Sequence, residues 1–375
     1  MKATIARTDN SVLGQWWWTV DHCLLGALFI LFGVGIVLSF SATPAIAEKL
    51  KLETYYLIKH QAVFLSLSVI VMLVVSMQTP RTIRLLALLA LAASFVLLVL
   101  VLMHGTAIKG SSRWIRIFGI SVQPSEIAKP AFAVAAAWLF SLGKIRENIS
   151  GAVIASLIYF ILVVLLISQP DFGMTMTVSA IFGIELFLSG ISMVWVYLLL
   201  FCGSVGVISA YYMIPHVQSR IDRFINPESG DTFQVRTAME AFKNGGLFGQ
   251  GPGEGRIKTI LPDAHTDFIM AVAAEEYGLL ICLAIVALFA VIVLRGFFLI
   301  FKDKNMFTLL AVSGLLVQFG MQALVNISST LNLIPTKGMT LPFISYGGSS
   351  LLSLGFGMGM VLALTRSTNN AKGDS

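Results

Sequence analysis

The chain has 375 residues, 57% of them hydrophobic and 12% charged, with a formal net charge of +6. So much apolar surface cannot be hidden from water inside a soluble domain, which excludes soluble enzymes and binding modules and makes the bilayer the solvent. Three cysteines without a CxxC and five histidines without an HExxH indicate neither a disulfide framework nor a transition-metal site.

Ten apolar runs follow one another, most of them close to the roughly 17 to 25 residues a spanning helix needs. Their cores are residues 23–40, 61–77, 85–103, 127–142, 152–167, 174–188, 193–213, 268–294, 307–327 and 349–364. Lipid-facing backbone must satisfy its own hydrogen bonds, so the expected fold is an all-α integral membrane protein of about ten transmembrane helices in one polytopic domain. Trp16, Trp17 and Trp18, in the segment 1–19 ahead of the first run, suit an interfacial aromatic belt. The first run is long and its small-residue sequel is a poor cleavage match, so it is not expected to be a removed signal. No internal repeat is evident, and the tail 366–375 is too short for a domain.

Lys and Arg in the short loops set the orientation. With the N-terminus inside, the inner loops and termini carry eleven and the outer short loops seven: Lys49, Lys51, Lys59, Lys109, Arg113, Arg116 and Lys337. Both termini are therefore expected in the cytoplasm, and the long loop 214–267 on the outer face. The outer basic residues work against the insertion bias. They either serve an anionic ligand such as a phosphate headgroup or are ordinary solvated loop charges.

The long loop interleaves aromatic and aliphatic residues with charges, so it is not a disordered tail. From Phe233 to Lys243, Val235, Met239 and Phe242 recur at helical spacing, for a helix lying either on the membrane or on its own protein. The glycines 245, 246, 249, 251, 253 and 255 follow no strand and precede no Gly-Lys-Ser/Thr, so a hinge is expected there rather than a nucleotide loop. Pro262 and Asp263 predict a helix start, placing His265 and Asp267 in the first turn of the eighth span. A carboxylate there suits a general base or a cation ligand at the water boundary; a capping cluster with no chemistry fits the same spacing.

Charge also enters the membrane. Glu126 and Lys129 share one face of the fourth span, as a functional pair or as a structural ion pair between helices. Glu185, Glu275 and Glu276 sit in other spans, and Asp171 marks a short outer turn; so many carboxylates with few partners suggest a hydrated cavity opening outward. The two prolines and three glycines of 335–350 forbid a regular helix and predict a re-entrant or outer loop whose only charge, Lys337, grips a phosphate or snorkels to the interface.

Five motifs in order resemble the SEDS family of cell-wall polymerases, the FtsW, RodA and SpoVE group. They are Ser112-Arg113-Trp114-Ile115, Gln123-Pro124-Ser125-Glu126 with Lys129, Gln169-Pro170-Asp171-Phe172-Gly173, Asn226-Pro227, and His265-Thr266-Asp267-Phe268, followed by the proline-glycine segment. The Pro335-Thr336-Lys337-Gly338 form resembles the division branch, FtsW, more than RodA. Asp263 departs from the family's usual Glu, and Met174 and Met270 from its usual Thr and Phe. The resemblance implies a peptidoglycan glycosyltransferase that polymerises lipid II at the outer face of the bacterial plasma membrane, at the division septum, and releases undecaprenyl pyrophosphate. It implies Asp267 as the catalytic carboxylate and Arg113, Trp114, Glu126, Lys129, His265 and Lys337 as substrate-binding residues. A class B penicillin-binding transpeptidase of the FtsI type and other divisome membrane proteins are the implied partners, with no nucleic acid. No cofactor is fixed by it; a divalent cation, Mg or Mn, with Asp267 as a ligand stays open. A lipid II flippase and a noncatalytic divisome scaffold are the rival functions. Broken helices and repeats, common in transporters, are not evident in the sequence.

Overall fold

The computed structural model describes residues 11–51, 53–108, 111–117, 119–145, 151–226, 232–301 and 305–366. Seven of the charges counted above, Lys2, Arg7, Lys109, Arg146, Lys302, Lys304 and Lys372, fall outside them, as do Pro227 and all of the C-terminal tail after Arg366.

A short helix α1 (Val12–Thr19) precedes the ten apolar helices. These are α2 (His22–Lys49), α3 (Tyr56–Ser76), α4 (Pro80–His104), α5 (Pro124–Ile145), α6 (Gly151–Ser168), α7 (Phe172–Leu188), α8 (Met193–Met213), then α11 (Ile269–Ile300), α12 (Met306–Thr330) and α13 (Gly348–Leu364). Each coincides with one expected span. Eight are long and apolar enough to cross a bilayer, and α7 and α13 are shorter apolar helices. Between α8 and α11 the long loop folds into α9 (Pro215–Ile225) and α10 (Phe233–Gly245). Helix starts follow local chemistry: Asp21, Thr79, Asp171 and Asn305 each accept a hydrogen bond from a first-turn amide of α2, α4, α7 and α12, and Pro80 opens α4.

The core is where α5, α12 and α13 meet, and these helices are buried on nearly every side. By contrast α8 buries only Ala210. At one end of the bundle Arg295 pairs with Asp21 at 2.6 Å, Arg366 donates to Thr19 Oγ1 and the Met77 carbonyl, and Trp16 Nε1 donates to Ser76 Oγ at 2.9 Å. Of the tryptophan triplet, then, Trp16 is a buried strut, while Trp17 and Trp18 are exposed. All loops expected outside gather at the opposite end, as ten alternating spans require.

That end holds structure the hydropathy pattern did not show. A three-stranded antiparallel sheet, β1 (Thr106–Ile108), β2 (Ser111–Ile117) and β3 (Ile120–Val122), stands where a polar loop was expected, and it carries the Arg113 motif. The segment between α12 and α13 is re-entrant, as expected. Phe343, fully buried, reaches down to set its ring, tilted, 4.4 Å from that of Phe32 and 6.0 Å from that of Phe319, and its carbonyl lies against Gly35, where any side chain would collide.

One open expectation is decided and two are corrected. First, α10 packs on its own protein, against α11: Thr237, Ala238, Ala241 and Gly245 are buried and Val235, Met239 and Phe242 half-buried. Small residues are needed because Gly245 sits directly on the Ala274 carbonyl. Second, the glycine run is a docked turn and not a free hinge. The amides of Gln250 and Gly251 donate to the carbonyls of Glu275 and Glu276, and Gly253 donates to the Glu276 carboxylate at 2.9 Å. Third, α11 is a broken helix. Gly278 adopts φ +82°, and the amides of Leu279 and Leu280 turn to the carbonyls of Gly246 and Leu247. The break is filled by the docked loop, so it lines no transport cavity.

Candidate functional site

Asp267 lies at the end of the bundle where the loops expected outside gather, ahead of α11 and not within its first turn. Asp263 takes φ +55°, and the amides of Thr266, Asp267 and Phe268 all converge on its carbonyl. Three successive amides share this one carbonyl instead of stepping along a ladder, so the α-helix begins only at Ile269 and Asp267 is left in a turn. Its backbone carbonyl accepts from Asn326 Nδ2 at 2.9 Å and Thr330 Oγ1 at 3.4 Å. Asn326 Nδ2 also donates to the Met339 carbonyl at 2.6 Å, so one amide on α12 clamps both irregular segments.

The carboxylate lies over Gly338. A Cβ on that glycine would stand 2.9 Å from Asp267 Oδ2. Gly338→Ala should therefore push the carboxylate aside by about 1 Å, costing about 10²-fold in any activity that depends on its position, with little change in thermal stability. Parallel measurement of activity and unfolding temperature checks it.

Three cations from three elements gather at this end of the bundle, with Arg220 in the field of the Asp267 carboxylate. Lys337 crosses Gly173 at the start of α7, its Cε and Nζ filling the space a side chain there would need. Arg113 on β2 donates to the Gln169 and Pro170 carbonyls and pairs with Asp171 at 3.6 Å, which ties the sheet to the turn between α6 and α7. Arg220 on α9, which no sequence motif singles out, donates to the Thr336 carbonyl at 3.2 Å. Burial and then the guanidiniums of Arg113 and Arg223 hold Arg220 below the ordinary arginine value, while Asp267 and Asp171 act in the opposite sense. Arg113, Arg220, Lys337, Asp171 and Asp267 thus share one local field.

Burial pulls the Lys337 ammonium down to about 7, with Lys129, Arg113 and Arg220 adding to the effect and Asp171 opposing it. Between pH about 7 and the ordinary value of 10.5 the unfolded chain binds a proton that the folded chain does not. Stability from this group is thus lost as pH falls through that window. Unfolding transitions recorded across it should strengthen with rising pH, and Lys337→Met should flatten that slope.

Glu126 and Lys129 form the expected pair on α5 at 2.9 Å, with Lys129 fully buried. Lys129 Nζ also donates to Gln322 Oε1 at 3.1 Å, and Gln322 Nε2 donates to Thr340 and Ser350. The pair therefore faces the site through Gln322 of α12. His265 accepts the Tyr346 amide on its carbonyl, its ring lies 5.3 Å from that of Tyr346, and the Tyr346 hydroxyl meets His60 Nδ1 at 2.7 Å. Trp114 is half-buried on β2 opposite Thr106.

The carboxylates expected to line one cavity are separated. Asp171 is paired with Arg113. Glu275 accepts from the amides of Arg256 and Ile257, and Glu276 from Gly253 and Lys258, so both anchor the long loop. Glu185 is deep in the bundle. Sequence reasoning missed Arg220, Gln322 and Asn326. For the latter two a signal existed: Gln318, Gln322 and Asn326 recur every fourth residue in an otherwise apolar span.

The profile of the FtsW/RodA/SpoVE family, described as a cell cycle protein, matches residues 21–370. The chain belongs to that family. A Caulobacter vibrioides relative named "Probable peptidoglycan glycosyltransferase FtsW" is 43% identical over 371 residues, covering 99% of this chain and 95% of the relative. A relative of the same name from Trichlorobacter lovleyi is 36% identical over 92% of this chain and 93% of its own length. Among solved structures, one titled as the structural coordination of polymerization and crosslinking by a peptidoglycan synthase complex superposes with a TM-score of 0.77. It is 26% identical and is covered to 98%, against 93% of this chain. The rod shape determining protein RodA of Thermus thermophilus superposes at 0.70, with 26% identity, over 94% of this chain and 99% of that one. The fold of this chain is thus shared with solved members of its family over nearly its whole length.

Proposed function

We propose that this FtsW/RodA/SpoVE family member is a peptidoglycan glycosyltransferase that joins lipid II units at the outer face of the plasma membrane, at the division septum, with both termini in the cytoplasm. The observation that carries this is the Asp267 carboxylate standing over Gly338 in the field of Arg220, which in turn acts on Lys337 and Arg113. Asp267 takes the proton of the acceptor sugar's 4-hydroxyl as that oxygen attacks the donor's anomeric carbon. The bond from that carbon to the diphosphate breaks, and the electron pair leaves with undecaprenyl pyrophosphate. Lys337, Arg220 and Arg113 lie where the growing negative charge needs opposing charge, and Lys129 backs them through Gln322. Trp114 and His265 offer ring surfaces beside the path of the substrate.

Among the described residues no three His, Cys, Asp or Glu side chains gather in a set that could hold a metal ion. A magnesium or manganese ion accompanying the diphosphate would draw Asp267 as its protein ligand and the substrate's own oxygens for the rest, a set that suits such hard ions. It would supply further charge neutralisation at the leaving group.

A class B penicillin-binding transpeptidase of the FtsI type is the proposed partner in the membrane, alongside other divisome proteins, and α8 leaves lipid-facing surface free for a long polyprenyl chain. The test gives labelled lipid II to the purified chain with its transpeptidase partner, the transpeptidase blocked. Glycan chains are expected. Precursor movement across vesicles without polymer would favour a flippase, and neither product would favour a scaffold.

A further inference from the structure

Helix α12 places Gly314, Gln318, Gln322, Asn326 and Thr330 at every fourth position, and all five are buried. They form one ridge, each member next to the following one, that winds round the helix from the middle of the bundle to Asp267. The outer part of this face is committed: Gln322 holds Lys129, while Asn326 and Thr330 hold the Asp267 carbonyl. The deeper part is not. Glu185 of α7 is 0% exposed, neither of its carboxyl oxygens meets a protein partner, and Oε1 occupies the space over Gly314 that a side chain would take, with Ala133 alongside. Next to Gly314 the Ser313 hydroxyl is also buried and unpartnered. So is Gln318 Oε1, which faces a void of about 10 Å³ between α12 and α13, and so is Asn326 Oδ1.

Five of the seven such atoms among the described residues therefore belong to Glu185 or to α12. Polar groups in a membrane interior are kept only where something satisfies them. The two amide oxygens accept only, while the Ser313 hydroxyl and a protonated Glu185 carboxyl both donate and accept, so the missing ligand is one that does both. From Gly314 to Asn326 the helix rises about 18 Å, too far for any single ion to serve them all. A void of about 10 Å³ holds about one water molecule.

We propose that α12 carries a file of internal water molecules, hydrogen-bonded to Glu185, Ser313, Gln318 and Asn326, that connects this deep acid to the site around Asp267. The ligand is water, and the consequence is that Glu185 exchanges protons with the outer end of the bundle without crossing lipid. None of this depends on the sugar chemistry proposed above.

Radiolytic footprinting in lipid nanodiscs tests it, because hydroxyl radicals formed from an internal water oxidise the side chains touching that water. Met358 lines the void; Met72 and Met360 are equally buried but lie away from it, and Met213 is exposed. Met358 is expected to oxidise several-fold faster than Met72 and Met360 in the unaltered chain. Gln318→Leu, which fills the void and removes the acceptor, is expected to lower Met358 oxidation several-fold while Met213 is unchanged. Met358 oxidation as slow as that of Met72 and Met360 would overturn the file, whether or not the variant folds. So would Met358 oxidation that Gln318→Leu leaves untouched, or that sodium ions suppress to the Met72 level.

Discussion

Asp267→Asn is expected to lower glycan-chain formation about 10²- to 10⁴-fold, the range that removal of a positioned general base costs. The substitution keeps the shape of the side chain, and the contacts that hold this turn are made by the Asp267 backbone carbonyl to Asn326 and Thr330. The fold should therefore survive, and the unfolding temperature should match that of the unaltered chain. Asp267→Glu is not a rescue. Its extra methylene has to pass Gly338, where even a Cβ would stand 2.9 Å from the present carboxylate oxygen. Activity retained in Asp267→Asn would assign the base to another group.

The second large effect is on stability. Lys129→Met removes the only charge that Glu126 meets among the described residues, in a place where the lysine is fully buried. Breaking a buried pair from one side costs about 3–5 kcal/mol, because the remaining charge is stranded away from water. The double variant Glu126→Gln with Lys129→Met strands no charge and should regain much of that loss. Denaturant or thermal unfolding of the three chains in one detergent decides it. Equal destabilisation of the single and double variants would mean that packing, or the hydrogen bond from Lys129 to Gln322, is what matters.

How far the sequence reveals this molecule depends on which force shapes each part. The ten helices are legible because the bilayer demands one local signal, an apolar run of sufficient length, and runs such as 193–213 coincide with α8 residue for residue. The sheet carrying Arg113 is not, since its three short strands are specified by pairing across a gap in sequence and leave no periodic trace. Asp267 is legible but reads as helical, because the left-handed turn at Asp263 leaves no sequence signal and the bonds from Asn326 and Thr330 to the Asp267 carbonyl are tertiary. Glu275 and Glu276 were read as intramembrane charges in search of a cavity. Their partners are mostly backbone amides of a loop some twenty residues earlier, which composition alone cannot announce. Arg220 was hidden among loop cations of equal standing, and only the fold of α9 brings it to Thr336. The break at Gly278 was missed for a similar reason. Its φ of +82° is stabilised by carbonyls of Gly246 and Leu247, far away in the chain.

The central claim is that a carboxylate and its cations work where lipid gives way to water outside the cell, and sidedness tests it most directly. The exposed Phe248 sits in the loop docked on α11, and the native cysteines Cys23, Cys202 and Cys282 can be replaced by serine to leave a clean background. With cysteine introduced at position 248, a membrane-impermeant maleimide applied to intact spheroplasts should label the protein, and the same reagent sealed inside inverted vesicles should as well. Labelling only when the reagent has access to the cytoplasmic face would place Asp267 away from its proposed substrate and contradict the account.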